Sequence, residues 1–219
     1  MSIHISKMTG KLEGFQAIST NTVSNEYCQK QYKKQDAKNI CTFCYSHNML
    51  NTFRKNMQAS LQRNTDLLNS KVLHPDALPI INNAFFRFNA HGELALDKKQ
   101  GTINLENYVN IAIKNPHCTF SLWTKRFDII KPYFDNHEKP KNLILIYSSP
   151  LTNHIMTKVP KHFDKTFNTV VETDFVEKQN CTGQKCKDCL LCYKKDTTSI
   201  IVEKVKTYGK KKLQKILTK

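Results

Sequence analysis

Leu143-Ile144-Leu145-Ile146-Tyr147 is the longest apolar run in the chain, and it decides the fold. A strand with one wet face alternates apolar and polar residues. An unbroken run of branched side chains suits a strand buried on both faces, as in parallel sheets covered by helices. Outward from this run, strand-like and helix-like stretches alternate. Cys118 to Trp123 reads as a strand and is followed by a short helix through Ile130. Before it, Leu105, Tyr108, Val109 and Ala112 mark an amphipathic helix that Asn115-Pro116 stops. Asn83 to Asn89 reads as another strand. Met49, Phe53, Met57 and Leu61 recur every four residues and predict one helix from Cys44 to Asn69-Ser70. Phe15 to Thr20 predicts the first strand, with a polar loop after it. On the other side, Phe167 to Val171 and Ser199 to Val202 predict the fifth and sixth strands. The expected class is α/β, a partial (β/α) barrel or open parallel sheet with a C-terminal Cys-rich metal-binding loop. One compact unit is expected, with residues 1–176 as its core and 177–219 as Cys-rich loop, last strand and basic tail.

Composition narrows the function classes. A hydrophobic content of 39% over 219 residues supports a buried core and excludes a wholly disordered chain. Residues 143–147 fall far short of the roughly 18 apolar residues that span a bilayer. The start, Met1-Ser2-Ile3-His4-Ile5-Ser6-Lys7, carries no apolar signal core, so a soluble, cytoplasmic protein is expected. The net charge of +16 makes nucleic acid a candidate partner. Against that, only Arg54, Arg63, Arg87 and Arg126 supply the bidentate fork that reads phosphates and bases. Part of the excess lies in the tail from Lys204 to Lys219. No phosphate-loop, dinucleotide or His-Glu-x-x-His pattern occurs, so nucleotide hydrolysis and zinc-protease chemistry lack a motif.

Eight cysteines are the informative number. In a reducing compartment, clustered thiols point to metal ligands or catalysis rather than disulfides. Cys118 stands alone in an apolar stretch and reads as a buried small hydrophobe. Cys181, Cys186, Cys189 and Cys192 run as Cys-x4-Cys-x2-Cys-x2-Cys. Zinc knuckles set two Cys-x2-Cys turns apart, whereas overlapping x2 spacings suit the larger [4Fe–4S] cube; zinc remains the alternative. Cys28, Cys41 and Cys44 form an incomplete set. Either His47 completes a Cys3His zinc shell, or three thiolates hold an iron–sulfur cluster with one iron left open.

In parallel sheets, ligands bind at the carboxyl ends of the strands, where loops and helix N-termini converge. The chemically distinctive residues fall there. The Cys trio follows the first strand; Arg87, His91, Gly92 and Glu93 close or follow the second; Trp123 to Arg126 follow the third. Ser148 and Ser149 end the fourth, and Glu172 and Asp174 the fifth. Taken singly, Trp123 reads as core packing, Lys125 and Arg126 as solvated, and His117, His137, His154 and His162 as surface residues. Arg87 and His91 fit an anion, and Glu93 fits an ammonium.

This layout resembles the radical S-adenosylmethionine enzymes. Cys41-Thr42-Phe43-Cys44 matches the end of their cluster motif, aromatic included, and His91-Gly92-Glu93 sits where their Gly-Gly-Glu-like turn falls. The spacing from Cys28 to Cys41 departs from that family's pattern. The resemblance implies a [4Fe–4S] cluster on the trio, with Phe43, Arg87, His91, Gly92, Glu93 and Ser148 around S-adenosylmethionine. It also implies a second cluster in the late loop, for structure or electron relay. More closely, the chain resembles the phage gene-product-88 domain proteins through Cys41-Thr42-Phe43-Cys44-Tyr45, Arg87 to Glu93, Trp123-Thr124-Lys125 and Cys186 to Cys192. That resemblance implies a phage origin, and little about activity. Two functions are therefore expected: a radical S-adenosylmethionine-like iron–sulfur protein acting on nucleic acid or nucleotides, or a zinc-stiffened module that binds nucleic acid or a host protein.

Overall fold

The apolar run is a strand with two buried faces. Leu143 and Leu145 join one hydrophobic cluster, and Ile144 and Ile146 join another. The computed structural model describes residues 2–96, 101–170 and 178–204. Seven strands pair in chain order: β1 (Ser6–Lys7), β2 (Gln16–Ile18), β3 (Phe85–Phe88), β4 (Thr119–Thr124), β5 (Leu143–Thr152), β6 (Lys165–Val170) and β7 (Ile200–Lys204). β1 is antiparallel to β2, and every later pair is parallel. Parallel neighbours need crossovers, and these carry the helices.

On the outer face, α3 (Met57–Ser70), α4 (Ile103–Lys114) and α5 (Phe127–Phe134) bury Leu68, Tyr108 and Ile130 against Phe86, Phe88, Phe120 and Leu122. Phe88 lies between Tyr108 and Phe120, with ring centroids 4.4 and 4.9 Å away. Burying each such ring contributes roughly 2–3 kcal/mol, which makes this the principal core. Cys118 belongs to it and is fully buried.

The sheet is curled. Flat, β2 and β7 would stand about 24 Å apart at roughly 4.8 Å per strand step. Instead Lys11, between β1 and β2, pairs with Glu203 on β7, and Phe15 meets Tyr193 at 4.8 Å. The segment from Cys181 to Tyr193, which includes the single-turn α6 (Cys186–Cys189), bridges the two edges. Its Leu191 and Cys192, like Trp123, pack on the inner face against the cluster of Ile144, Ile146, Phe167 and Ile201. The expected α/β class with a mostly parallel sheet holds, and the two edge strands, β1 and β7, are unpaired with each other among the described residues.

Several boundaries differ from the sequence reading. The helix expected from Cys44 to Ser70 is two helices, α2 (Tyr45–Asn51) and α3, separated by a turn at Thr52–Asn56. Asn51, Thr52 and Asn56 are poor helix formers, and the break leaves Phe53 72% exposed although it sits on the apolar period. The polar loop after the first strand contains α1 (Glu26–Lys33). β5 runs past Tyr147 to Thr152 through a register shift between Ser148 and Thr152. β1 is too short to leave a periodic signal. Val171, Glu172 and Asp174, and the tail from residue 205, lie outside the described residues.

Candidate metal centres

The early trio is assembled from three local devices. Asn25 caps α1 by accepting the Cys28 N–H at 2.9 Å, and its amide donates to the Glu93 carbonyl at 3.0 Å. Asn39 accepts the Cys41 N–H at 2.9 Å at the start of a short turn (Ile40–Phe43) whose Phe43 is buried. Cys44 caps α2, its sulfur accepting the His47 N–H at 3.5 Å. The loop before Cys41 is pinned to the extension of β5. There the Thr152 N–H donates to the Lys38 carbonyl at 2.9 Å and its hydroxyl to Ala37 at 3.0 Å.

Strand ends close around these thiols. Glu93 is buried; its carboxylate accepts the Leu94 N–H at 2.8 Å, the Lys125 N–H at 2.9 Å and the Thr124 hydroxyl. Lys125 Nζ donates to Ser148 Oγ at 2.9 Å. Burial works against the Lys125 charge, yet the neighbouring Cys41, Glu93, Cys44 and Cys28 outweigh it and hold its ammonium above the ordinary range. Burial pushes the Cys28 and Cys41 thiols up against the pull of Lys125; both feel Cys44 and Glu93, and Cys28 also feels Cys41. Burial likewise raises Glu93 against the pull of Lys125. The solvated reading of Lys125 and Arg126 is thereby corrected. Arg126 is 8% exposed, grips Asp128 and the Leu94 carbonyl, and lies 4.9 Å from the Tyr27 ring.

Around this core the loops are bonded to one another. His91 Nδ1 meets Ser46 Oγ at 2.7 Å, Ser46 meets Thr22, and Thr22 accepts the Gly92 N–H at 2.8 Å. Tyr45 donates to the Ala90 carbonyl. Burial, then Arg87 and Arg54, lower His91 to about 4, so it is neutral at pH 7. Gly92 is required here: φ is +77°, and a Cβ would sit 2.7 Å from the Thr20 carbonyl oxygen. The His47 ring stacks on Tyr32 at 3.7 Å. Of the other histidines, His117 binds the Ile81 carbonyl, His137 stacks on Tyr133, and His162 meets Asp135, all away from the trio.

The late set is built differently. Cys181, Cys186, Cys189 and Cys192 line one cavity beside Leu191, Tyr193 and Ile201. Lys11 Nζ approaches Cys181 Sγ at 3.5 Å while paired with Glu203, and Lys165 holds the end of the loop through Thr197 and the Thr198 carbonyl. Burial raises Cys181 and Cys186, and lifts Cys192 to about 12. Arg87 projects from β3 onto this inner face, its guanidinium 4.3 Å from the Trp123 ring centroid.

Among the described residues, no three His, Cys, Asp or Glu side chains are gathered closely enough to hold a metal ion as they stand. The donor chemistry nonetheless fits thiolate-bound metal. Each set groups soft sulfur donors, and each has a cation beside it, Lys125 or Lys11. Sequence reasoning missed Lys125 and the two caps. Asn25-x-x-Cys28 is a capping spacing, and it was a usable signal.

The molecule is an α/β protein built on a curled, mostly parallel seven-stranded sheet, with one cysteine set at its strand ends and another across its inner face. The family model described as Gene product 88 matches residues 7–195, and the chain belongs to that family. Three of the segments quoted above meet in space, Tyr45 against His91 and Glu93 against Thr124 and Lys125. No curated protein and no solved structure matches the chain significantly. Among the described residues no helix is long and apolar enough to cross a membrane.

Proposed function

We propose that this chain is an iron–sulfur protein that binds S-adenosylmethionine, with Cys28, Cys41 and Cys44 holding a [4Fe–4S] cluster and the late cysteines a second one. The observation that supports it is the convergence of three thiols from α1, the following turn and α2 beside Glu93, Lys125 and Ser148, at the ends of successive parallel strands. When bound, a cluster with an open iron supplies the electron for reductive cleavage of a sulfonium cofactor. The chain's own part is positioning. Glu93 sets a buried negative charge where a cofactor ammonium would lie, held by Thr124 and the Lys125 backbone. Lys125 and Ser148 offer a cation and a hydroxyl for the cofactor carboxylate. Arg87 and Phe43 are set back, on the inner face and in the buried turn. His91 and Gly92 lock the loops. The charge of +16 keeps a nucleic acid or nucleotide in view as substrate.

Anaerobic purification followed by iron, sulfide and zinc assays tests the metal. A brown protein with about eight irons per chain, as two four-iron cubes require, supports the proposal. A colourless protein with stoichiometric zinc overturns it in favour of the zinc-stiffened binding module. Glu93→Gln should weaken S-adenosylmethionine binding while leaving the metal content intact; unchanged affinity removes Glu93 from the cofactor site.

A further inference from the structure

We propose that Arg87 is the counter-charge of the late cysteine site, a guanidinium held on Trp123 for the negative charge that the four thiolates carry when they hold a metal. The inference rests on the reading of the late cysteines as metal ligands, and it holds for zinc and for an iron–sulfur cube alike.

Arg87 stands between Phe86 and Phe88, both buried in the outer core, so its own side chain faces inward. Its register partners are Ala17 on β2 and Ser121 on β4, small residues that leave lateral room for a guanidinium. Trp123 fixes one face of that group, and the indole packs on the same Ile144, Ile146, Phe167 and Ile201 cluster as Cys181, Leu191 and Cys192. The Arg87 charge reaches Cys186 and Cys192.

Among the described residues this cation has no resident anion: no carboxylate pairs with it, and its Nε is buried without an acceptor. The contrast is Arg126, whose fork is filled by Asp128 and the Leu94 carbonyl, and Lys11, already neutralised by Glu203. Desolvating a guanidinium with an orphan N–H is unfavourable unless an anion arrives. Metal binding delivers one, because cysteines ligate as thiolates. Four thiolates around Zn2+, or around a cube of core charge +2, carry about −2 in total, from four single negative charges and two positive. The geometry thus assigns Arg87 a role through the ligands rather than on them, as a positioning residue that raises metal affinity.

The test is zinc titration of the reduced, metal-free full-length chain, with Cys41→Ser and Cys44→Ser silencing the early site and a competing chelator setting the scale. Trp123 is the sole tryptophan, so its emission reports loading next to Arg87. Arg87→Met should weaken zinc binding about tenfold to hundredfold, the range for residues that support metal ligands, whereas Arg87→Lys should stay within about threefold of the parent. Equal affinity for parent and Arg87→Met overturns the proposal. So does an Arg87→Met variant that keeps its zinc affinity and instead loses binding of inorganic phosphate, which would make Arg87 a site for a free anion. Should Arg87→Met not fold, the parent alone decides: zinc loading that leaves Trp123 emission unchanged overturns the proposal. A chain that takes up no metal at all refutes the metal reading itself, which the elemental assay reports separately.

Discussion

The two cysteine sets use the same side chain and are held by opposite means. The late set lies within twelve residues, and its short loop, joined to β7 by the Cys181 N–H on the Val202 carbonyl, brings the four thiols to one cavity; apolar contacts dock that loop on the inner face. The early set spans Cys28 to Cys44 and exists only because capped helices, a β5 extension and three strand ends converge. Local geometry makes the first robust to damage elsewhere, whereas the second inherits the stability of the whole sheet. That difference can be broken by experiment.

The largest effect is expected from the outer core. Phe88→Ala removes a fully buried ring and should cost about 3–5 kcal/mol, read by urea denaturation. Near the midpoint, early-site metal should be lost before late-site metal; simultaneous loss would dissolve the distinction. Next comes His91, faced by Arg87, Arg54, the Tyr45 ring and Ser46. Between pH 6.5 and about 4 the unfolded chain binds a proton that the folded chain excludes, so stability falls as the pH drops. The loss should reach about 3 kcal/mol at about 1.36 kcal/mol per pH unit, and His91→Gln should remove that part of the slope.

Gly92→Ala should cost at least about 1–3 kcal/mol, because φ is +77° and the Cβ would strike Thr20. It should reduce metal at the trio with the late set unaffected. A variant as stable as the parent would show that the Thr20 contact yields. The smallest effect is at the caps. Asn25→Ala and Asn39→Ala should each cost about 0.5–2 kcal/mol and slow metal uptake at the early site only. Equal perturbation of both sites would mean that the sets are coupled more tightly than their separate supports imply.

Much of the fold was legible because burial on two faces leaves a period-free apolar run, and Leu143 to Tyr147 carries that mark. The break at Thr52 was not, since Phe53 keeps the helical period while pointing to solvent. The cysteine sets were legible from spacing. Lys125 was not, because a lysine that ends a strand looks solvated until the thiols and Glu93 fold around it.

The chain's own order of residues therefore determined the parallel α/β class, the outer core and the late cavity, since each depends on periodicity or on neighbours a few positions apart. The curl that brings Lys11 to Glu203, the setting of Lys125 among the early thiols and the placing of Arg87 on Trp123 with its Nε unbonded among the described residues were decided only in three dimensions. Electrostatic neighbours are set by distance in space, and no spacing along the chain encodes that distance once a sheet bends.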